Sequence, residues 1–535
     1  MSKKFYITTP IYYPSASPHL GHAYCTTLCD VIARGKRLRG FETYFLTGLD
    51  EHGEKIQENA IAAGVTPQQF VDEVAVKFIS LWKTMMISND DFIRTTQPRH
   101  YETVEKMFSK FLQNDDVYLS SYRGWYCVHE ESYWTDTQVG PDHLCPECHR
   151  PCEEKSEAAY FFRCDKYVDD LLAFYDKNPN FITPKGRKDE MVNNFIKPGL
   201  NDLCVTRTSF NWGIPVPEAP GHVIYVWLDA LANYVTALGY LQKDDSKFQK
   251  FWNDPECEVV HVIGADITRF HTIYWPMFLE ALGLREPSRV FVHGLMMMKD
   301  GKMSKSKGNV IPVPPLVERF GVDAVRYYLA REIIFGQDGQ FTPEQFVERL
   351  NSDLANNLGN LLNRAVSMID KYFEGKIPEY QGDTNELDKN LSALAEKTVK
   401  TYEVLNDDLK VTEAYTAVMD LVSAANKYIE ESAPWALAKD PAKKAQLASC
   451  MAHLANTIFL CGMLLSPILV TKSEKIFDQL GVPSELRNYA SATKFGSLHG
   501  VSVHKGEQLF PRMDVETEVD FIQQLMAAPK EKAAA

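Results

Sequence analysis

Four short runs of β-branched and aromatic residues stand out along the chain. They are KFYITT near the start, TYFLTG at 43–48, VVHVIG at 259–264 and RVFVHG at 289–294. Their length and near-continuous apolarity predict strands buried on both faces. Each is followed by a polar or glycine-bearing turn and then by a helical pattern. That alternation predicts a parallel sheet with helices on both sides. Ligands of such sheets lie beyond the carboxyl ends of the strands. The segments there are PIYYPSASPHLGH, LDEHG, ADITRFH and LMMMKDGKMSKSKGN, all rich in polar residues and predicted to share one edge. More than 200 residues separate the second and third runs. Within that gap, residues 119–221 carry cysteines and aromatics but few long helical patterns, which predicts an inserted domain. After Thr342 the period changes. PEQFVERLNSDLANNLGNLLNRAVSMIDKYF spaces its apolar residues by three and four, and similar segments follow to about Leu465, which predicts a helical bundle. The longest apolar stretch, 454–470, is interrupted by Asn456 and Pro467. It falls short of the roughly 20 residues a membrane span needs, so it reads as a buried helix of that bundle.

Composition refines this picture in three ways. A chain of 535 residues is too long for one core and predicts three or four domains. The formal net charge of −14 argues against nucleic-acid binding by bulk electrostatics, so any such partner must be held by local basic patches and by shape. Eleven cysteines occur in a chain whose basic start, MSKKFYITTP, lacks the apolar stretch of an export signal. Those features predict a cytoplasmic protein without a membrane partner, and cysteines that serve a metal more readily than disulfides. The closing MAAPKEKAAA reads as a frayed tail or linker, and a chain ending there is expected to be a monomer.

Two segments seek phosphate. In SPHLGHAY, Ser17 is placed to cap a helix, Pro18 suits its first position, and the periodic pattern runs on to about Arg39. His19 and His22, three apart, share one face of the first turn, and Gly21 opens the backbone between them. A helix N-terminus with two imidazoles is a site for polyphosphate. The second segment, GKMSKSKGN at 301–309, combines three lysines with two serines and two glycines. Taken alone it reads as a solvated turn; paired with the first segment it reads as a mobile clamp.

HLGH and KMSKS are the two motifs of the class I aminoacyl-tRNA synthetases, which this chain resembles. TTPIYYPSASPHLGHAY, TGLDEHGEKI, YVWLDALANY and NKYIEESAPWALAK extend the likeness to the methionyl family within that class, from about Phe5 to about Lys439. The resemblance implies an α/β fold. A Rossmann-type parallel-sheet catalytic domain (1–118 and 222–294) would carry an inserted connective domain (119–221). A KMSKS loop and stem-contact region (295–350), an all-α anticodon-binding bundle (351–520) and a tail (521–535) would follow. It implies ATP-dependent activation of L-methionine to the adenylate, then transfer of the methionyl group to the 3′ end of tRNA(Met). His19, His22, Lys302 and Lys305 become catalytic residues. Gly21, His293, Gly294, Met303, Ser304 and Ser306 join them around ATP, which arrives with Mg²⁺. The methionine pocket becomes Ile11, Tyr13, Asp50, Trp227, Ala230, Leu231, Tyr234, Ile267 and His271, with Asp50 on the substrate ammonium. Asp229 is left open between a structural role and substrate contact. One departure is visible: the turn that often reads G-K-D-I in the family is GADI here, so Ala265 brings no charge.

The same resemblance places a zinc knuckle in the inserted domain. Cys145 and Cys148 form one C-x₂-C half-site, but the other half is Cys127-Val128-His129-Glu130, so one thiolate is missing. The expected ligands are Cys127, Cys145 and Cys148, with the fourth left among His129, Glu130, His149 and Cys152. A metal-free knuckle packed on Trp125, Tyr126 and Trp134 is the other reading. In the bundle, Asn360 and Arg364 share a helix face, and Trp435 follows Pro434. They match the family's anticodon-reading asparagine, arginine and tryptophan. Rival readings are a cysteine-specific synthetase, a nucleotidylyltransferase and a silent RNA-binding paralogue. The aromatic pocket disfavours the first, the long helical bundle the second, and the intact His19, His22, Lys302 and Lys305 the third.

Overall fold

The fold was obtained as a computed structural model that describes residues 3–15, 17–128, 132–134, 136–146, 148–298, 301–302 and 310–534. The chain divides into two compact units: 1–18, 42–83 and 88–293 form the first, and 19–41, 84–87 and 294–535 form the second.

The first unit is built on a six-stranded, wholly parallel sheet. Its strands are β1 (Lys4–Tyr12), β2 (Glu42–Leu49), β3 (Asp91–Arg94), β4 (Ile182–Thr183), β5 (Cys257–Gly264) and β6 (Arg289–His293). Their order across the sheet is β3-β2-β1-β5-β6-β4. All four apolar runs became strands of the inner part of this sheet, where both faces are covered and nearly every side chain is buried. The two edge strands were not anticipated. The pairing of β1 with β2 slips by one residue between Thr8 and Ile11. Pro10 sits in that stretch with no N–H to give to a ladder, so the strand bulges and re-aims the residues after it. Gly48 on β2 is required by packing, because a Cβ there would lie 2.1 Å from the Ile93 carbonyl oxygen. An antiparallel sheet of Ser132–Trp134, Val117–Cys127, Glu153–Phe162 and Leu203–Cys204, in that order, belongs to the same unit.

The second unit is mainly helical. It holds α1 (Leu20–Leu38), α2 (Asn360–Phe373), α3 (Glu386–Asp407), α4 (Val411–Ser432) and α5 (Lys444–Leu465). Helix α5 is long and apolar enough to cross a membrane, but 94% of its most apolar window is buried in the protein. It therefore acts as a core helix, as its sequence suggested, except that it stops at Leu465 and the residues from Ser466 to Val470 leave it. Pro467 explains the stop, since it cannot supply the next intrahelical N–H.

Helix α1 is tied into this unit by charge. The buried Arg326 donates from Nη2 to Asp30 Oδ2 at 2.6 Å and to the Pro467 carbonyl at 2.7 Å, while Nε and Nη1 reach the carbonyls of Ile468 and Met85. Asp407 at the end of α3 accepts from Lys36 at 2.8 Å and from both terminal nitrogens of Arg39. Those cations overcome the effect of burial and hold the Asp407 carboxyl down to about 2.

Candidate active site

At the start of α1 the cap differs from expectation. His19, rather than Ser17, is the N-cap residue, and the helix begins at Leu20. His19 Nδ1 accepts the Gly21 N–H at 3.1 Å, and His22 Nδ1 accepts the His19 N–H at 3.1 Å. This is a capping box made from two imidazoles in place of Ser and Glu. The imidazole takes the capping role because its acceptor nitrogen reaches the orphan N–H groups that Ser17 lies too far upstream to satisfy. The arrangement fixes the tautomer: with Nδ1 accepting on both rings, a neutral imidazole carries its proton on Nε2. Both Nε2 atoms are therefore N–H donors, on rings whose centroids are 4.1 Å apart. No acidic residue lies in the first turn to neutralise the positive helix end. Gly21 makes room for its neighbour as well, since a Cβ would come within 3.0 Å of His19 Cε1.

The lysine loop is only partly described. Gly301 and Lys302 form a two-residue strand antiparallel to Met297–Met298. Met303, Ser304, Lys305 and Ser306 lie outside the described residues, as do His129 and Glu130 of the knuckle. Gly294 has a packing reason of its own, because a Cβ would collide with the Gln337 backbone at 2.0 Å. His293, the last residue of β6, is buried.

In the first unit, the helix Val226–Thr236 presents Trp227, Ala230, Leu231 and Tyr234 at helical spacing. Ile11, Trp227 and Ile267 are partly buried and pack on the core that contains Leu231 and Tyr234. Tyr234 is fixed from three sides. Its backbone carbonyl accepts from Tyr6 Oη at 2.8 Å, its ring stacks on His261 at 4.0 Å, and its hydroxyl meets His271 Nε2 at 2.7 Å. His271 Nδ1 donates to the Ile267 carbonyl at 3.0 Å, so Nε2 is the acceptor and the Tyr234 hydroxyl the donor. Burial pushes His271 down to about 4, which keeps the ring neutral at physiological pH. The Trp227 indole lies flat on Phe270, with centroids 3.5 Å apart and planes 5° from parallel. Lys55 Nζ lies 5.8 Å from the centre of the Tyr13 ring. Asp50, at the end of β2, is buried. The wall built on Trp227, Tyr234 and His271 is aromatic and neutral, which suits a ligand with an apolar, polarisable side chain.

Asp229 proves structural. His52 Nδ1 donates to Oδ2 at 2.6 Å and His100 Nε2 to Oδ1 at 2.7 Å. Burial alone would raise this carboxyl; the two imidazoles reverse that and hold it below the usual range. Both oxygens are engaged, so Asp229 braces the helix that carries Trp227 and Tyr234. Sequence reading missed His52, His100, His261 and Phe270. A histidine inside the apolar run VVHVIG was the available signal for His261, because a buried imidazole needs partners. Thr8 Oγ1 at 2.9 Å and Trp275 Nε1 at 3.3 Å provide them.

In the antiparallel sheet region, the sulfurs of Cys127, Cys145 and Cys148 lie within 4.8 Å of one another, with Cys127 to Cys148 at 3.5 Å. Cys152 is buried in the same cluster. His149 is exposed and has a left-handed backbone, φ 57°. In the second unit, Asn360 opens α2 and is exposed, and Arg364, one turn on, donates to Glu430 at 2.6 Å. Ala433 ends α4 in the left-handed region, and Pro434 starts a four-residue helix that leaves Trp435 43% exposed. A large aromatic so exposed is available for base stacking.

Comparison with known proteins identifies the family. The family model described as tRNA synthetases class I (M) matches residues 5–155 and 149–366, and that of the anticodon binding domain of methionyl tRNA ligase matches 377–530. The methionine–tRNA ligase of Bacillus subtilis is 52% identical over 529 residues, covering 97% of this chain and 79% of that protein. The enzyme of Halalkalibacterium halodurans is 51% identical over 539 residues, covering 99% and 81%. The structure of Mycobacterium tuberculosis methionyl-tRNA synthetase in complex with methionyl-adenylate superposes with a TM-score of 0.90 at 39% identity, covering 95% of this chain and 100% of that one. The chain belongs to the methionyl family of class I aminoacyl-tRNA synthetases.

Proposed function

We propose that this protein activates L-methionine with ATP and charges tRNA(Met), supplying initiation and elongation of translation in the cytoplasm. The observation that carries this reading is the histidine pair that caps α1 with its donors on Nε2, in a chain that belongs to the family over nearly its whole length.

In the first step a methionine carboxylate oxygen attacks the α-phosphorus of ATP. The bond to the bridging oxygen breaks, and pyrophosphate departs with its electron pair. A carboxylate is already a nucleophile, so the site needs placement and charge neutralisation more than a base. His19 and His22 donate from Nε2 to phosphate oxygens, and Lys302 and Lys305 neutralise charge on the leaving pyrophosphate. Gly21, His293, Gly294, Met303, Ser304 and Ser306 complete the nucleotide site, and Mg²⁺ enters with ATP as part of the substrate. Asp50 takes the methionine ammonium. Ile11, Tyr13, Trp227, Ala230, Leu231, Tyr234, Ile267 and His271 enclose the thioether, where each sulfur–aromatic contact contributes up to about 1.5 kcal/mol. In the second step the terminal ribose hydroxyl of tRNA attacks the activated carbonyl, and AMP leaves. Asn360, Arg364 and Trp435 read the anticodon. The domain division is 1–118 with 222–294, 119–221, 295–350, 351–520 and 521–535.

The knuckle fits a structural zinc. Thiolates bound at 2.3 Å in a tetrahedron lie about 3.8 Å apart, and the 3.5 Å separation of Cys127 from Cys148 needs little adjustment. Cys127, Cys145 and Cys148 would hold the ion, and Cys152, buried in the same apolar cluster, is one candidate for the fourth ligand. Zinc would cross-link the knuckle and takes part in no step of the reaction.

Charging assays test the proposal. Labelled methionine is expected on tRNA bearing the methionine anticodon and not on tRNA with another anticodon. Trp435→Ala should weaken charging by about tenfold or more, the worth of one stacked base. Equal charging of both tRNAs would contradict the role given to the bundle.

A further inference from the structure

A cavity of about 580 Å³ lies in the first unit, lined by Trp227 and Phe270 and by residues of the antiparallel sheet. Its volume is that of a site for a nucleotide-sized ligand. Ser121, Asn201 and Asp165 are exposed at its rim, while Trp227, Phe270 and Arg269 line its interior.

Arg269 is the unexplained group. Its guanidinium stands 4.7 Å from the ring centre of Phe270, 5.1 Å from Phe195 and 5.4 Å from Trp134. Among the described residues it has no carboxylate within ion-pair distance, and its Nε is buried without a hydrogen-bond partner. The nearby Asp202 is already engaged, accepting from Tyr118 Oη at 2.8 Å and from the Cys164 N–H at 2.9 Å. The Trp227 indole Nε1 in the same cavity is also buried without a partner among the described residues. Both unsatisfied groups are donors, and one is a fixed cation. Buried donors left unmatched are costly. A ligand that satisfied both donors would bring acceptors and negative charge, and would lie against flat aromatic walls. A phosphate with a base attached meets all three demands. Asp165 at the rim suits a base that presents an exocyclic amino group.

We propose that this cavity receives a nucleotide of the single-stranded 3′ end of tRNA, with its phosphate on Arg269 and its base against the aromatic wall. The proposal rests on the charging reaction above and adds a positioning residue to the transfer step. Because the cavity shares Trp227 with the methionine pocket, a strand anchored there is held beside the activated amino acid.

The test separates the two half-reactions. Arg269→Gln is expected to leave methionine-dependent pyrophosphate exchange within about twofold. In single turnover it should slow transfer from preformed methionyl-adenylate to tRNA by about tenfold or more, as expected for loss of a charge-assisted phosphate contact. Arg269→Lys should recover part of the rate. Asn201→Trp, a rim change at an exposed position, should slow transfer by blocking entry. With tRNA trimmed of its single-stranded 3′ nucleotides, wild type and Arg269→Gln should bind equally well. Unchanged transfer in Arg269→Gln would overturn the proposal. So would equal losses of exchange and transfer, which would place Arg269 in the methionine pocket, and so would Arg269-dependent binding of cytidine monophosphate with normal transfer, which marks a site for free nucleotide only. Absence of exchange in the wild-type enzyme would instead refute the reading on which the proposal rests.

Discussion

His22→Ala is expected to lower methionine-dependent pyrophosphate exchange by about 10²- to 10³-fold, the usual cost of removing one donor aimed at transition-state charge. The same change also deletes half of the imidazole capping box at the start of α1. That loss alone costs about 0.5–2 kcal/mol of stability, too little to unfold the protein. The two effects are therefore separable: the far-ultraviolet circular dichroism should stay native while exchange collapses. The donor argument depends on the tautomer, and the tautomer on His22 Nδ1 accepting the His19 N–H at 3.1 Å. Exchange within about threefold of wild type would remove His22 from the chemistry and leave it a capping residue.

Arg326→Ala is expected to cost about 3–5 kcal/mol, measured as a lowered urea midpoint, because it breaks a fully buried ion pair from one side and strands three buried backbone carbonyls. Arg326 is fully buried, and four of its hydrogen bonds are lost together: to Asp30 and to the carbonyls of Met85, Pro467 and Ile468. Asp30 would still hold its ion pair with the partly exposed Arg34 at 2.8 Å. The double change Arg326→Met with Asp30→Leu should cost less than Arg326→Ala, since it removes both charges of the buried pair instead of breaking it from one side. A loss below 1 kcal/mol for Arg326→Ala would mean that water reaches Asp30 and that α1 is held mainly by apolar packing.

What the sequence disclosed follows from physical distance along the chain. The inner strands were legible because burial on both faces writes a continuous apolar run. Asp91–Arg94 and Ile182–Thr183 were not, because edge strands of four and two residues leave no period to detect and one of them is bracketed by charges. The helical stretch from Pro343 to Phe373 showed its period plainly. The cap on α1 was misplaced by two residues because Ser is the commoner cap, and no local rule says that an imidazole can take over both halves of the box. The methionine-pocket residues came from resemblance; the braces behind them did not come at all. His52, His100 and Asp229 lie 48 and 129 positions apart in the chain and meet only in the folded unit. Arg269 was invisible for a related reason. Its interest lies in having aromatic neighbours and, among the described residues, no counter-charge, which only the fold reveals.

The most direct test of the central claim is exchange of labelled pyrophosphate into ATP, run without tRNA and with each proteinogenic amino acid in turn. Exchange with methionine alone is predicted, and it would confirm the activation step and the Tyr234–His271 pocket together. Exchange with a different amino acid would keep the chemistry of the α1 histidines but overturn the pocket assignment. No exchange with any amino acid, from folded protein that still binds tRNA, would contradict the account.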